Sequence, residues 1–403
     1  MSDVPDDGLQ SGLAAVQSAL EETGAVGFLY VSSRDTPNRR YLTRHRGVDR
    51  ETAVVFLPAT AGGRPQALYC VPTDSTTAFD AFSQVADGID RTVVGRLSST
   101  ATGQHICDVL ADRLGEQAGA GTLLVPRNLP HDTAIFLQQA GYELQSTAVV
   151  DAARAITTPA ERDCLEAVQQ AAVAAMDRIE TVLANCVRTD SGLSFEGRPL
   201  TIEGLRRRIN SELVSNGVSP AANTRIETTT VGSNNRLAAG EPICIQLAPR
   251  GPDGYHGHLV RTLVVDSEGG WERRAHVAVE AGLRAAARHI EPGVEIGDVE
   301  GEVVAEIGAY GFPVARSTES NSQIRATATV YGIGLSRYER PMPGTDSSLR
   351  AGMVIAVSAG ITDATRGTVR VGSVRILTAE GSRRLTASPL SLLPTNKRVD
   401  STS

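Results

Sequence analysis

Two hydrophobic periodicities alternate along this chain. Up to residue 150, short apolar runs rich in β-branched side chains recur: GAVGFLYVSS (24–33), TAVVFLP (52–58), QALYCVP (66–72) and GTLLVP (121–126). Each is bounded by glycine, proline or serine, the punctuation of strands. Between them, TGQHICDVLADRLGEQ (102–117) sets Ile106, Val109, Leu110 and Leu114 on one helical face. Strands alternating with helices predict an α/β layer, a sheet covered by helices.

A different order begins at TTPAERDC (157–164). Thr158 suits a helix N-cap, Pro159 the first helical position, and Glu161 completes a capping box. Leu165, Val168, Ala172, Met176, Ile179 and Leu183 then follow helical spacing to about residue 186. Further helices are predicted over 201–217, 272–290 and about 297–310, closed by Gly217, by Pro292 with Gly293, and by Gly311. Strands fit PICIQLA (242–248), YHGHLVRTLVV (255–265), MVIAVSA (353–359) and TVRVGSVRILT (368–378). The turn-rich connector PRGPDG joins the first two as an antiparallel hairpin. Helices followed by strands, twice over, predict an α+β unit with helices on one face of a shared sheet.

A chain of 403 residues exceeds what one core usually holds. The expected domains are 1–150 and 155–390, with a polar tail at 391–403. Hydrophobic content of 41% and charge of 21% indicate a folded globular protein. No apolar run approaches the ~20 residues of a membrane span, and the acidic start MSDVPDDGLQ is the opposite of a secretory signal. A cytoplasmic protein with no membrane partner is expected. The net charge of −7 argues against nucleic acid as a partner, because phosphate contacts need clustered cations. The five cysteines form no CxxC pair, so neither a zinc site nor a disulfide framework is indicated. Lys397, the only lysine, sits in the tail, which excludes a buried catalytic lysine.

Five fragments, in order over nearly the whole chain, carry a resemblance. They are NRRYLTRH (38–45), RAITTPAERDCLEAVQQAA (154–172), GYHGHLVRT (254–262), GIGLSRYERP (332–341) and AGMVIAVSAGI (351–361). Together they resemble the pita-bread peptidases: aminopeptidase P, prolidase, methionine aminopeptidase and creatinase. The resemblance implies a creatinase-like α/β N-terminal domain, an α+β pita-bread C-terminal domain, and a homodimer. It also implies two divalent metals held by two aspartates, one histidine and two glutamates. At those positions this chain has Gln246, His258, Tyr331, Ser358 and Gly372. A second, proton-shuttling histidine is replaced by Tyr338, and the stretch before the first metal strand, ETTTVGSNNRLAAGEP (227–242), contains no histidine. Two divalent ions need anionic ligands to offset their charge. No metal and no cofactor is therefore expected.

What remains supports several readings. The first is a catalytically inactive Xaa-Pro peptidase homologue that binds a small molecule, a peptide or a protein partner in the former cleft. Gln246, Tyr255, Arg261, Tyr331, Tyr338 and Ser358 are its candidate lining. Arg337 and Arg325 stand ready to hydrogen-bond a ligand carboxylate beside the two tyrosines. Tyr255 and Arg261 have hairpin packing as their other use. The metal-less pita-bread domain of the large subunit of the histone chaperone FACT offers the resemblance's binding precedent. The alternative is a metal-independent C–N hydrolase of creatinase or ectoine hydrolase type. His258, His256 and Glu339 are its candidate catalytic residues; the two histidines sit two apart on a predicted strand and so share a face. Ser358 is a nucleophile in that scheme only with a base beside it. A peptidase with an unconventional mononuclear metal is the third reading.

Overall fold

The computed structural model describes residues 6–43, 50–59, 63–76, 88–97, 99–115, 119–229, 235–313, 324–342 and 348–394. The chain divides into two compact units, Met1–Arg154 and Ala155–Ser403.

The first unit runs α1 (Asp6–Thr23), β1 (Gly27–Ser32), α2 (Pro37–Thr43), β2 (Thr52–Leu57), β3 (Gln66–Pro72), β4 (Asp90–Arg96), α3 (Thr102–Leu114), β5 (Thr122–Pro126), α4 (His131–Gln139), β6 (Glu143–Thr147) and α5 (Val149–Arg154). Its sheet has the order β4-β3-β2-β1-β5-β6. Strands β1, β2 and β3 pair antiparallel, whereas β4, β5 and β6 join in parallel. Every residue of β1 and β2 is buried, which explains why those runs read as continuously apolar instead of alternating. One face packs Leu29, Val31, Val55 and Leu68 against Ile106 and Leu110 of α3 and Leu137 of α4.

The second unit opens with α6 (Pro159–Ala184), whose capping box is complete: the Glu161 amide donates to Thr158 Oγ1, and the Thr158 amide donates to the Glu161 carboxylate. There follow β7 (Val187–Thr189), β8 (Gly192–Phe195), β9 (Arg198–Pro199), α7 (Ile202–Ser215), β10 (Arg225–Glu227), β11 (Ile243–Leu247), β12 (Leu259–Leu263), α8 (Trp271–His289), α9 (Ile296–Ala309), β13 (Ile324–Gly332), β14 (Val354–Asp363), β15 (Gly367–Thr378) and β16 (Gly381–Arg384). The main sheet is ordered β10-β11-β12-β15-β14-β13, with β16 on β15. All its recorded pairings are antiparallel.

Alternation gives this sheet two unlike faces. Ile243, Ile245, Leu247, Leu259 and Leu263 pack beneath α6 and α7. Ile355, Val357, Ala359, Ile361, Val369 and Val371 pack beneath α8 and α9. Full burial of such side chains stabilises by about 1.5–3 kcal/mol each. The opposite face, called open because the two helix clusters leave it uncovered, carries the in-between residues, most of them buried: Gln246, Val260, Thr262, Ser358, Gly360, Arg370 and Gly372.

Two expectations need correction here. β12 begins at Leu259, not Tyr255; His256 makes only an isolated bridge with Arg250. The side chain of Gln169 on α6 holds this stretch, and glycines 254 and 257 interrupt it, so strand alternation does not govern His256. Strand β13, composed largely of alanine and threonine before Val330, was not among the predicted strands. Part of the 227–242 stretch, residues 230–234, and the tail from 395 lie outside the described residues.

Candidate functional site

The open face converges on one row. Gln246 pairs with Val260, Val260 with Gly372, Gly372 with Ser358, and Ser358 with Thr329. Two residues beyond Thr329, Tyr331 shares that face by alternation. The five positions that the resemblance assigns to metal ligands thus gather on one side of one sheet.

His258 is the centre. Its main chain is clamped to α6: Gln169 Nε2 donates to the His258 carbonyl at 2.8 Å, and the His258 amide donates to Gln169 Oε1 at 3.0 Å. The imidazole then has both nitrogens engaged. Nε2 lies 3.0 Å from Ser358 Oγ, and Nδ1 lies 3.1 Å from the Tyr331 hydroxyl. All three residues are buried, at 2% exposure for His258, 4% for Ser358 and 6% for Tyr331. Burial first, and then the charges of Arg337, Arg261 and Arg370, push the His258 pKa down to about 3. The ring is neutral at physiological pH. Burial, aided by Tyr338, raises Tyr331 to about 12, so its phenol stays protonated.

Gly372 explains how this cluster fits. A Cβ there would lie 2.4 Å from Ser358 Oγ and 3.0 Å from His258 Nε2. The bond between serine and histidine therefore occupies the room that any side chain at 372 would need.

The loop after β13 forms the rim. The Gly332 amide donates to the Pro341 carbonyl at 2.7 Å, and the Glu339 amide donates back to the Gly332 carbonyl at 2.8 Å. A Cβ at Gly332 would lie 2.1 Å from the Arg340 carbonyl, so this approach requires glycine. Glu339 is buried, and its carboxylate accepts from the Ser336 amide at 2.7 Å. Tyr338 leans on Tyr331 with ring centroids 4.7 Å apart, and Arg337 stacks over Tyr338 at 5.1 Å.

Not every candidate lines this face. Tyr255 is buried with its hydroxyl donating to Glu161 Oε1 at 2.7 Å, tying the loop to the α6 cap. Arg261 lies in register with Ile245, on the helix-covered face. Its guanidinium donates to the carbonyls of Pro389, Val260 and Gly372. Both were offered for the cleft and for hairpin packing, and both are structural cross-links: Arg261 holds an odd position of β12, which points away from the open face, and Tyr255 precedes that strand, its hydroxyl held by Glu161. His256 is half-buried, and its amide donates to the Gly334 carbonyl at 2.8 Å, which ties it to the rim loop. Gln246, Ser358, His258, Tyr331 and Tyr338 are brought together. Arg325 is exposed, on β13 six residues before Tyr331.

Sequence reasoning passed over two residues. Gln169 was visible as an amide inside the apolar stripe of α6. Arg370 was visible two residues before Gly372, hence on the same face. A separate cavity of about 490 Å³ is lined by α6, α7, β8 and β9, including Arg178, Phe195 and Arg207. It contains none of the open-face positions.

A residue row running across five strands of a helix-backed antiparallel sheet, joined in sequence to an α/β unit, defines a pita-bread protein of the prolidase type. Residues 163–379, more than half of the chain, match the model of metallopeptidase family M24, and the chain belongs to that family. It is 27% identical over 168 residues to the Xaa-Pro dipeptidase of Pyrococcus horikoshii, covering 40% of this chain and 44% of that protein. The match thus spans under half the length of this curated relative. Among solved structures, the Xaa-Pro dipeptidase of Bacillus anthracis superposes with a TM-score of 0.72 at 20% identity, over 96% of this chain and 99% of the other. The N-terminal domain of FACT complex subunit SPT16 from chickpea superposes with a TM-score of 0.70 at 13% identity, over 96% and 99%. These likenesses establish the fold.

The family's name implies metal, and the donors here do not fit one. Gln246, Ser358 and Tyr331 are neutral, Gly372 offers nothing, and both nitrogens of His258 are already engaged. Among the described residues, no group of three or more His, Cys, Asp or Glu is arranged to hold a metal ion.

Proposed function

We propose that this member of metallopeptidase family M24 binds a small ligand or peptide on the open face of its C-terminal sheet without two-metal hydrolysis. One observation carries the reading: His258 is locked between Ser358 and Tyr331, in the space left by Gly372. An imidazole with both nitrogens taken by hydrogen bonds organises a ligand site and has no free lone pair for a divalent ion. Two of the curated relatives are Xaa-Pro dipeptidases, so peptides with a second-position proline are the first ligands to try. Calorimetric titration with a panel of Xaa-Pro dipeptides should show saturable binding. Incubation of the same peptides with protein, manganese and cobalt should leave them intact. Metal-dependent cleavage, or no binding by any member of the panel, would sink the proposal.

A metal-independent hydrolase is the second reading, favoured by the 3.0 Å between Ser358 Oγ and His258 Nε2. That distance suits a nucleophile and its base. Base action requires the tautomer with hydrogen on Nδ1, donated to the Tyr331 oxygen, so that Nε2 accepts the serine proton. A pKa near 3 makes His258 a weak base at neutral pH, which is why binding ranks first. The earlier assignment of acid–base work to Glu339 is less supported, since its carboxylate accepts from the Ser336 amide. Labelling of Ser358 by an activated phosphonate, read by mass spectrometry, would promote this reading; an unlabelled Ser358 would retire it.

A further inference from the structure

We infer that the open face is an anion site, taking a carboxylate-bearing small molecule against the guanidinium groups of Arg370 and Arg337. The inference rests on reading that face as a ligand site, and names the chemistry it selects.

The charge inventory comes first. The row from Gln246 to Ser358 contains no carboxylate, and His258 is neutral. Glu339 faces its own turn, accepting from the Ser336 amide. Glu227, opposite Cys244, and Arg225, opposite Gln246, also belong to this face; Glu227 makes no ion pair with Arg370 or Arg337 among the described residues. Neither Arg370 nor Arg337 therefore has an ion-pair partner on this face among the described residues.

Each arginine is placed by the fold. Arg370 stands opposite Gly360 on β14. A Cβ at Gly360 would lie 3.1 Å from Arg370 Nε, so the glycine lets the arginine lie across the neighbouring strand. Its main chain is pinned: the amide donates to Thr262 Oγ1 at 2.8 Å, and that hydroxyl donates to the Arg370 carbonyl at 3.0 Å. No described residue hydrogen-bonds its guanidinium. Arg337 reaches in from the rim loop, stacked on Tyr338, with one terminal nitrogen donating to Asn223 Oδ1 at 3.3 Å. Its Nε is buried and has no hydrogen-bond partner among the described residues. Both charges act on the same pair, His258 and Tyr331.

A desolvated guanidinium donor without an acceptor is costly, and a carboxylate is the planar partner its fork matches. The rings of Tyr331 and Tyr338 offer an apolar wall for the body of such a ligand. The row from Gln246 to Ser358 itself carries no carboxylate to oppose such a ligand.

Malonate and its neutral diamide, malonamide, are the probes, titrated calorimetrically into the full chain at low ionic strength. Malonate should bind and malonamide should not. Arg370→Gln and Arg337→Gln should each weaken malonate at least about tenfold, and added salt should weaken it in the wild type. Arg337 lies on the rim loop, so its variant remains informative if Arg370→Gln fails to fold. Malonate affinity unchanged in both variants, equal binding of malonamide, or no malonate binding would overturn the inference. Xaa-Pro peptides that still bind in that case would leave the ligand site standing and remove only its anionic character.

Discussion

Strand β14 shows the two faces of this sheet residue by residue. Ile355, Val357, Ala359 and Ile361 point into the packing beneath α8 and α9. Ala356, Ser358 and Gly360, between them, point to the open face. The covered set follows the apolar pattern any such sheet needs, and its residue types are interchangeable within volume limits. The open set is specified by mutual fit: Gly372 makes room for Ser358, Ser358 holds His258, and Gly360 makes room for Arg370. The first face determines that the chain folds this way; the second determines what the fold can hold.

The sharpest break should come from the covered face. Ile355→Ala should destabilise by roughly 2–5 kcal/mol in denaturant unfolding, while malonate and peptide binding by the remaining folded fraction stay as they were. A loss of binding greater than the loss of stability would mean that the faces are not separable.

Next in size is Gly372→Ala, expected to cost roughly 1–3 kcal/mol because its Cβ meets Ser358 Oγ at 2.4 Å. Removing that oxygen in the double variant Ser358→Ala/Gly372→Ala should recover part of the loss. Strict additivity of the two single changes would show that the open face is not a fitted cluster.

Acid should act through His258. Its folded pKa lies near 3, below the ordinary 6.5, so below pH 6.5 the unfolded chain takes up a proton that the native state refuses. The stability that the neutral imidazole contributes is complete above pH 6.5. It falls by up to about 1.4 kcal/mol per pH unit as the pH drops toward 3. In paired unfolding curves at pH 7 and pH 5, His258→Gln should lose less than the wild type. Identical losses would mean that His258 is not the buried neutral group described.

The smallest effect is assigned to Tyr338→Ala. Tyr338 is 47% exposed, so stability should change by no more than about 0.5 kcal/mol, with any larger consequence confined to ligand affinity. A substantial fall in thermal midpoint would move Tyr338 from the rim into the packing.

How much of this could be read from sequence depended on how local the cause was. Helix α6 was legible to within two residues, because Thr158, Pro159, Glu161 and the apolar stripe all act within one element. The family resemblance made the grouping of Gln246, His258, Tyr331, Ser358 and Gly372 legible. Their arrangement was not, since Ser358 is 100 residues from His258 and Tyr331 is 73 residues from it. Arg261 and Tyr255 were offered for the cleft and for hairpin packing, and packing is where they are found. Alternation already separates Arg261 from Val260 and Thr262, whereas the delay of the strand to Leu259, through the grip of Gln169 and the glycines around His256, is what alternation could not show. Arg370 escaped notice because what defines it is the absence of a side chain on the strand beside it.

The central claim is that the open face has exchanged a metal-holding set for a fitted neutral and cationic one. Elemental mass spectrometry tests it most directly, on protein purified without chelator and dialysed against manganese, cobalt and zinc before removal of free metal. The account predicts near-zero metal per chain. Two tightly held ions per chain would contradict it, and would mean that His258 releases Ser358 and Tyr331 to bind metal.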